Sequence, residues 1–209
     1  MAYDLEEQEQ IDAIKAWWKQ HGNTVLLSVA VFVAIVAGTQ GWRYYQHKQT
    51  AQAAALYGVL QGAADSHDVN KVREAAGRLI EQFPRTGYAT HAALLAASAN
   101  YEHGDAKSAM AQLQWVLDHA DSDEIKDAAR LRLAGILLDE KNYGAALKLL
   151  EARHDAAFDG LYADLKGDVL LASGKASEAL ASYRLALEKI DPANAYRGLV
   201  QMKLDGLGG

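Results

Sequence analysis

The segment that decides the fold is NTVLLSVAVFVAIVAGTQGWRYY, residues 23–45. No charged side chain lies between Gly22 and Trp42, a stretch of 21 residues. An α-helix rises about 1.5 Å per residue, so this stretch would be about 30 Å long, the thickness of the hydrocarbon core of a bilayer. Aromatic residues follow directly, where an interfacial belt would lie: Trp42, Tyr44 and Tyr45. The sequence therefore predicts one transmembrane helix over residues 22–42.

Two other interpretations of this segment are weaker. A secretory signal peptide begins with a short basic region, whereas the first 21 residues here hold five acidic side chains and only two lysines. A buried core helix would need apolar neighbours on all sides, and the rest of the chain is amphipathic. The orientation stays open, because two basic residues precede the span and two follow it: Lys15, Lys19, Arg43 and Lys48.

The sequence IDAIKAWWKQHG, residues 11–22, covers the second half of the predicted tail, residues 1–21, and the first residue of the span. This sequence places apolar side chains at helical spacing, namely Ile11, Ile14, Trp17 and Trp18. We expect a short amphipathic helix that lies either on the membrane surface beside the span or against another protein.

The composition indicates helices and excludes several kinds of site. The chain has 209 residues, two prolines, no cysteine and a net charge of −6. Without cysteine there are no disulfides and no thiolate metal sites. A net negative charge without a basic stripe argues against a nucleic-acid partner. Alanine is abundant and long Val/Ile/Thr alternation is absent after residue 45, so an all-α domain is expected.

An internal repeat is marked by four alanines with similar surroundings, Ala76, Ala109, Ala146 and Ala179, which are 33, 37 and 33 residues apart. Twelve residues before each of the last three lies another small residue: Ala97, Ala134 and Gly167. Four residues after each lies a bulky one: Leu113, Leu150 and Tyr183. This pattern resembles the tetratricopeptide repeat, in which small residues allow paired helices to approach. Residues 43–209 are therefore predicted to form a tetratricopeptide-like helical solenoid.

The repeat departs from that pattern in several places. The usual tryptophan near the start of the first helix is missing from every unit. The long second interval predicts an enlarged loop near HADSDEI, residues 119–125, with Asp121 and Glu124 capping the next helix. After the span no helix breaker occurs until Gly58 and Gly62, so we expect the span helix to continue out of the membrane as a stalk and to become the first helix of the following domain. Residues 65–68 then predict a turn and a helix start.

The chain closes with PANAYRGLVQMKLDGLGG, in which we expect a helix that caps the last repeat. Its expected apolar face consists of Tyr196, Leu199 and Met202, together with Leu204 or Lys203.

No catalytic residue, cofactor site or metal site is predicted. The chain has no GxGxxG, Walker, HExxH or GxSxG motif, and no two of its seven histidines are spaced as ligands on one helix face. An enzyme would require a buried acid–base pair formed over long range, such as His154 with Asp164 or Asp168.

The repeat register places eight residues towards the concave groove of such a solenoid. They are Leu94, Ser98, Tyr101, Leu131, Leu138, Asp164, Asp168 and Leu171. The leucines fit packing between repeats equally well, and the aspartates fit a solvated face. Tyr101 is the strongest candidate for a contact with a partner, since amphipathic rings often anchor interfaces.

In its order of features, the whole chain resembles the ancillary subunit of the Sec translocon of Gram-negative bacteria, the YfgM-like family. The features are the acidic tail, IDAIKAWWKQHG, one span, GWRYYQHKQTAQAAALY, degenerate repeats and QMKLDGL. The resemblance implies a non-enzymatic adaptor in the inner membrane, with a cytoplasmic N-terminus and a periplasmic repeat domain. The implied partners are the SecYEG translocon and a periplasmic, membrane-anchored chaperone of the peptidyl-prolyl isomerase type. The alternative is a cytoplasm-facing, membrane-tethered scaffold for a signalling or cell-division complex.

Overall fold

The computed structural model describes residues 2–208, with side chains from residue 10 onward. All regular secondary structure in that part of the chain is helical, which confirms the predicted all-α class. The helices are α1 Ala2–Asp65, α2 Val69–Gln82, α3 Gly87–Glu102, α4 Ala106–His119, α5 Asp123–Asp139, α6 Tyr143–Leu150, a 3₁₀ turn Ala156–Phe158, α7 Asp159–Ala172, α8 Ala176–Lys189 and α9 Tyr196–Asp205. The chain divides into two compact units after Ala51.

The first unit exposes the apolar segment of α1. Eight large apolar side chains are between 41 % and 67 % exposed: Leu26, Leu27, Val29, Val31, Phe32, Val33, Ile35 and Val36. Water-soluble surfaces rarely show an apolar patch of this size. Within the described residues, α1 is the one helix long and apolar enough to cross a membrane, and only 6 % of its most apolar window is buried. This exposure favours a membrane span over a core helix.

The separate amphipathic helix expected before the span is not formed, because α1 has no break at Gly22. The ring of Trp18 lies over this glycine, so that a Cβ there would be 3.1 Å from the indole Nε1. The expected apolar residues of this stretch are exposed on the continuous helix: Ile11, Ile14, Trp17 and Trp18.

The second unit begins within α1. Ala53, Leu60 and Ala63 are at most 5 % exposed and pack in one core cluster with residues of α2 and α3. The expected continuation of the span helix into the first helix of the second unit is thus confirmed, and Gly58 and Gly62 do not interrupt it before Asp65. The helix start near residue 68 is confirmed as well, since Asp68 caps α2 by accepting a hydrogen bond from the Lys71 backbone N–H at 3.1 Å.

Three helix pairs follow, α3 with α4, α5 with α6, and α7 with α8. The small residues predicted at their contacts are buried; the alanines are no more than 2 % exposed: Ala97, Ala109, Ala134, Ala146 and Ala179. Gly167 has the closest contact, because a Cβ at this position would lie 2.4 Å from Cε1 of Tyr183. The predicted helix pairs are confirmed.

The enlarged loop is absent from the second interval. The connection from α4 to α5 is only three residues long, whereas α4 continues ten residues past Ala109 and α2 only six past Ala76. The additional residues therefore form about one more turn of helix, which keeps backbone groups hydrogen-bonded. The cap is also displaced by one residue, since Ser122, not Asp121, accepts from the Ile125 N–H at 3.3 Å.

The closing helix α9 packs on the last pair, as expected of a cap. However, its buried face consists of Val200 and Leu204, which are 0 % and 6 % exposed. Leu199 and Met202 are 43 % and 66 % exposed, so this part of the predicted face is wrong. Val200 and Leu204 pack in one core cluster with Tyr183 and Ala186 of α8.

Candidate partner-binding site

The eight predicted groove residues all lie on α3, α5 and α7, the first helices of the three pairs. We call the surface formed by these helices the first-helix face. Leu94 is half-buried against Ala93 and Ala97, while Leu131 and Leu138 pack in the cluster around Ala134 and Val169. These three leucines therefore contribute to the core between repeats. Leu171 is 38 % exposed and is free to contact another molecule.

Tyr101 lies at the C-terminal end of α3 and is 39 % exposed. Its hydroxyl donates a hydrogen bond to Oδ2 of Asp139 on α5, which links two successive first helices. This hydrogen bond, together with burial, raises the pKa of Tyr101 above its ordinary value. The neutral ring thus presents one exposed side from a fixed position. Ser98, one turn earlier, is exposed and donates to Glu102 Oε1 at 3.1 Å.

Asp164 and Asp168 are placed differently from the expected exposed groove. Asp164 is 2 % exposed and its Oδ2 accepts from Lys203 Nζ at 2.9 Å and from the Tyr196 hydroxyl at 2.5 Å. Asp168 accepts from Lys203 Nζ and from the Tyr183 hydroxyl, both at 2.8 Å. We call these five side chains the α9 clamp, since they join α7 and α8 to α9.

The clamp explains why a carboxylate is buried here. Two carboxylates and one ammonium group lie together with two tyrosine hydroxyls, so every charge has a hydrogen-bonded partner. Asp164 is therefore unavailable to a partner while α9 is docked, and Asp168 is largely committed to the clamp. Asp164 and Asp168 could contact a partner only after α9 has moved away from α7.

Three groups of the clamp, Tyr183, Tyr196 and Lys203, all have raised pKa values. Burial, and then the hydrogen bonds to Asp168 and Asp164, raise the pKa values of Tyr183 and Tyr196 well above the ordinary tyrosine value. Burial by itself would lower the pKa of Lys203, but the hydrogen bonds to both aspartates outweigh it and raise the pKa. All three groups keep their protons more firmly when α9 is docked.

We therefore expect α9 to be released at alkaline pH. Groups with raised pKa values stabilise the docked form below about pH 10, and this stabilisation is lost as the pH rises further, because the free form gives up its protons first. Ultraviolet titration of tyrosinate should show a late class of tyrosines. Changing Tyr183→Phe and Tyr196→Phe should remove two members of that class; loss of two early-titrating tyrosines would contradict the clamp.

The acid–base pair on which an enzymatic function would depend is not formed. His154 Nε2 lies 3.2 Å from Oδ1 of Asp159, and its ring stacks on Tyr162 with 3.8 Å between centroids. Asp164 and Asp168 are instead bonded within the α9 clamp. Tyr162 in turn donates to the buried carboxylate of Asp127 at 3.2 Å. His154 therefore has a structural role, because it holds the loop before α7 against Tyr162.

The sequence did not reveal that Asp139 is the partner of Tyr101. It also did not reveal that Tyr196 and Lys203 belong to the α9 clamp. The i, i+4 spacing of Asp164 and Asp168 places two carboxylates on one side of α7. Because like charges at this spacing repel each other, the pattern predicts a cation nearby. That signal does not identify Lys203, because 35 residues separate it from Asp168. The link from Tyr101 to Asp139 gives no sequence signal for the same reason.

Comparison with known proteins covers nearly the whole chain. A family described as a tetratricopeptide repeat-like domain matches residues 15–209. A protein of Neisseria gonorrhoeae named ancillary SecYEG translocon subunit is 33 % identical over 99 % of this chain and 100 % of its own length. Proteins of the same name from Haemophilus influenzae and Escherichia coli are 30 % and 27 % identical, over 99 % and 96 % of this chain and 100 % and 96 % of their own lengths. The resemblance seen in the sequence is therefore confirmed, and the chain belongs to the family of ancillary SecYEG translocon subunits.

Proposed function

We propose that this protein is a non-enzymatic adaptor associated with the SecYEG translocon and anchored in the inner membrane by residues 22–42. The observation that carries the proposal is full-length similarity to proteins named as translocon subunits. The exposed apolar segment of α1 supports the anchor. In this proposal residues 1–21 are cytoplasmic and residues 43–209 are periplasmic.

In this proposal the first-helix face binds a segment of another protein. Tyr101, Leu161 and Leu171 expose between 38 % and 39 % of their surface on first helices. Near Tyr101, three carboxylates have no lysine or arginine partner among the described side chains: Glu102, Asp139 and Glu140. A segment that combines apolar residues with lysine or arginine fits this arrangement.

The proposed partner at this face is a periplasmic, membrane-anchored chaperone of the peptidyl-prolyl isomerase type, which would receive exported chains. Because the adaptor and the chaperone are both confined to the membrane, each meets the other at a raised effective concentration. A weak contact would then be sufficient, and a modest apolar face with a few charges is suited to a weak contact.

The orientation can be tested directly because the chain has no cysteine. A single Ser177→Cys on the exposed start of α8 should react with a membrane-impermeant maleimide added to spheroplasts. The matched control, Ala16→Cys, should react only after the membrane is permeabilised. The reverse pattern would support the cytoplasm-facing scaffold and contradict the periplasmic placement.

Partner binding should depend on the ring of Tyr101. We expect Tyr101→Ala to weaken co-isolation of the chaperone about tenfold, because truncation of an anchoring aromatic typically removes 1–2 kcal/mol or more. The control Tyr101→Phe keeps the ring, loses only the hydrogen bond to Asp139 and should retain most of the binding. Equal recovery with all three proteins would show that the contact lies elsewhere.

A further inference from the structure

The charges next to the membrane span are all positive. The chain holds 27 acidic residues, yet none occurs between Asp12 and Asp65. Four lysines or arginines do occur in that interval, Lys15, Lys19, Arg43 and Lys48. A chain with a net charge of −6 therefore presents local positive charge where the span would meet the headgroups.

Each side of the span has two basic residues, but only those on the C-terminal side have no acidic residue close to them in the sequence. Residues 42–48, WRYYQHK, form what we call the basic–aromatic collar. Trp42, Tyr44 and Tyr45 are between 54 % and 74 % exposed, and the rings of Trp42 and Tyr45 lie 6.1 Å apart. No carboxylate among the described side chains pairs with the collar's cations. On the other side of the span Lys15 is already paired with Asp12 at 3.1 Å.

Within the collar, Arg43 and His47 are separated by one helical turn and line the same surface depression. The rest of its lining consists of Gln40, Trp42, Tyr44, Gln46 and Thr50. Lys48 does not line this depression and projects from another side of the helix. The guanidinium group of Arg43, with an imidazole and a hydroxyl beside it that can each donate a hydrogen bond, forms a suitable cradle for one phosphate group.

The depth of this pair in the membrane follows from the length of the helix. Trp18 and Trp42 are 24 positions apart, about 36 Å along the helix, which is more than the hydrocarbon core of about 30 Å but less than the full bilayer of about 40–45 Å. Two tryptophans at this separation lie at the two interfaces. Arg43 and His47, directly beyond Trp42, then reach the level of the lipid phosphates.

We propose that Arg43 and His47 bind the phosphate of an anionic phospholipid and so select such lipids around the C-terminal end of the span. Anionic headgroups are favoured over zwitterionic ones because the collar contains no carboxylate that could pair with a choline or ethanolamine cation. The inference rests on the membrane span of the proposed function, and it adds a lipid ligand to that anchor.

Trp42 provides a local reporter, since it is one of four tryptophans. A variant with Trp17→Phe, Trp18→Phe and Trp115→Phe leaves Trp42 as the only indole. The full-length protein is reconstituted in vesicles that contain phosphatidylcholine and phosphatidylglycerol, with bromine on the acyl chains of one lipid or the other. Brominated phosphatidylglycerol should quench Trp42 more strongly, with a relative association constant about 3–10 times that of phosphatidylcholine.

Two further variants separate a site from diffuse attraction. Changing Arg43→Gln together with His47→Gln should lower the ratio of association constants to about one. The matched control Lys48→Gln removes a charge at the same depth from another side of the helix and should keep more than half of the preference. A ratio of one in the parent, or equal losses in both variants, would overturn the phosphate site.

The quenching of Trp42 also distinguishes failure of the lipid site from failure of the proposed membrane span. If neither brominated lipid quenches Trp42, the segment does not lie in the bilayer, and the proposed span fails together with the lipid site. If both lipids quench equally, the span stands and the lipid selectivity is wrong. Loss of the preference on addition of inorganic phosphate at constant ionic strength would assign the pair to a soluble anion and overturn the lipid assignment.

Discussion

Changing Lys203→Met is expected to release α9 from the last repeat. The ammonium group of Lys203 contacts both Asp164 and Asp168, and the Asp164 side chain is 2 % exposed. Without the lysine, a buried carboxylate would be left without a countercharge, and such losses typically destabilise by about 3–5 kcal/mol. Hydrogen exchange of the amides in α9 should therefore accelerate at least 100-fold, as a difference of about 3 kcal/mol implies.

Two controls decide whether the buried charge is the cause. Adding Asp164→Asn to Lys203→Met leaves a neutral amide that still accepts from Tyr196, so much of the protection should return. Lys175→Met removes a surface cation whose pair with Glu178 is more than half exposed on both sides, and it should change protection little. Unchanged exchange in Lys203→Met, or no recovery in the double variant, would contradict the clamp.

Changing Gly167→Ala should destabilise the last helix pair by about 1–3 kcal/mol through overpacking. The new methyl group would lie 2.4 Å from Cε1 and 2.6 Å from Cδ1 of Tyr183. Tyr183 is 1 % exposed and its hydroxyl is held by Asp168 at 2.8 Å, so the ring has little room to move. The measurement is hydrogen exchange of α7 and α8 in the full-length, detergent-solubilised protein.

Gly135 provides a matched control on α5. A Cβ at Gly135 would meet no atom within 4 Å, so Gly135→Ala should stabilise its helix by about 0.5–1 kcal/mol. The two identical substitutions are thus expected to act in opposite directions. Faster exchange in α5 of the Gly135 variant, or slower exchange in α7 of the Gly167 variant, would contradict the described packing.

Features that depend on local spacing could be predicted from the sequence. The apolar segment, the helix pairs and the small residues at their contacts all follow from periodicities of a few residues or from the repeat. Gly167 and Ala179 could be paired because the repeat register relates them, and Tyr183 lies four residues further along the same register. The structure places all three at one contact.

Features that depend on long-range packing could not be predicted. Asp164 looks like an exposed residue in isolation, and only the return of α9 brings Lys203 onto it. The additional residues after Ala109 were equally compatible with a loop or a helical turn, since both keep the repeat order. The choice of Ser122 over Asp121 as cap depends on where α5 begins, and helix ends are poorly determined by pattern alone.

We infer that the apolar segment of α1 anchors this chain in the membrane at the translocon. Affinity isolation of the full-length protein from membranes solubilised in a mild detergent tests it most directly, with an unrelated single-span protein expressed at the same level as the control. We expect the protein in the membrane fraction, and we expect SecY, SecE and SecG to be recovered well above the control. Recovery of the protein in the aqueous fraction without detergent, or translocon subunits at the level of the control, would contradict it.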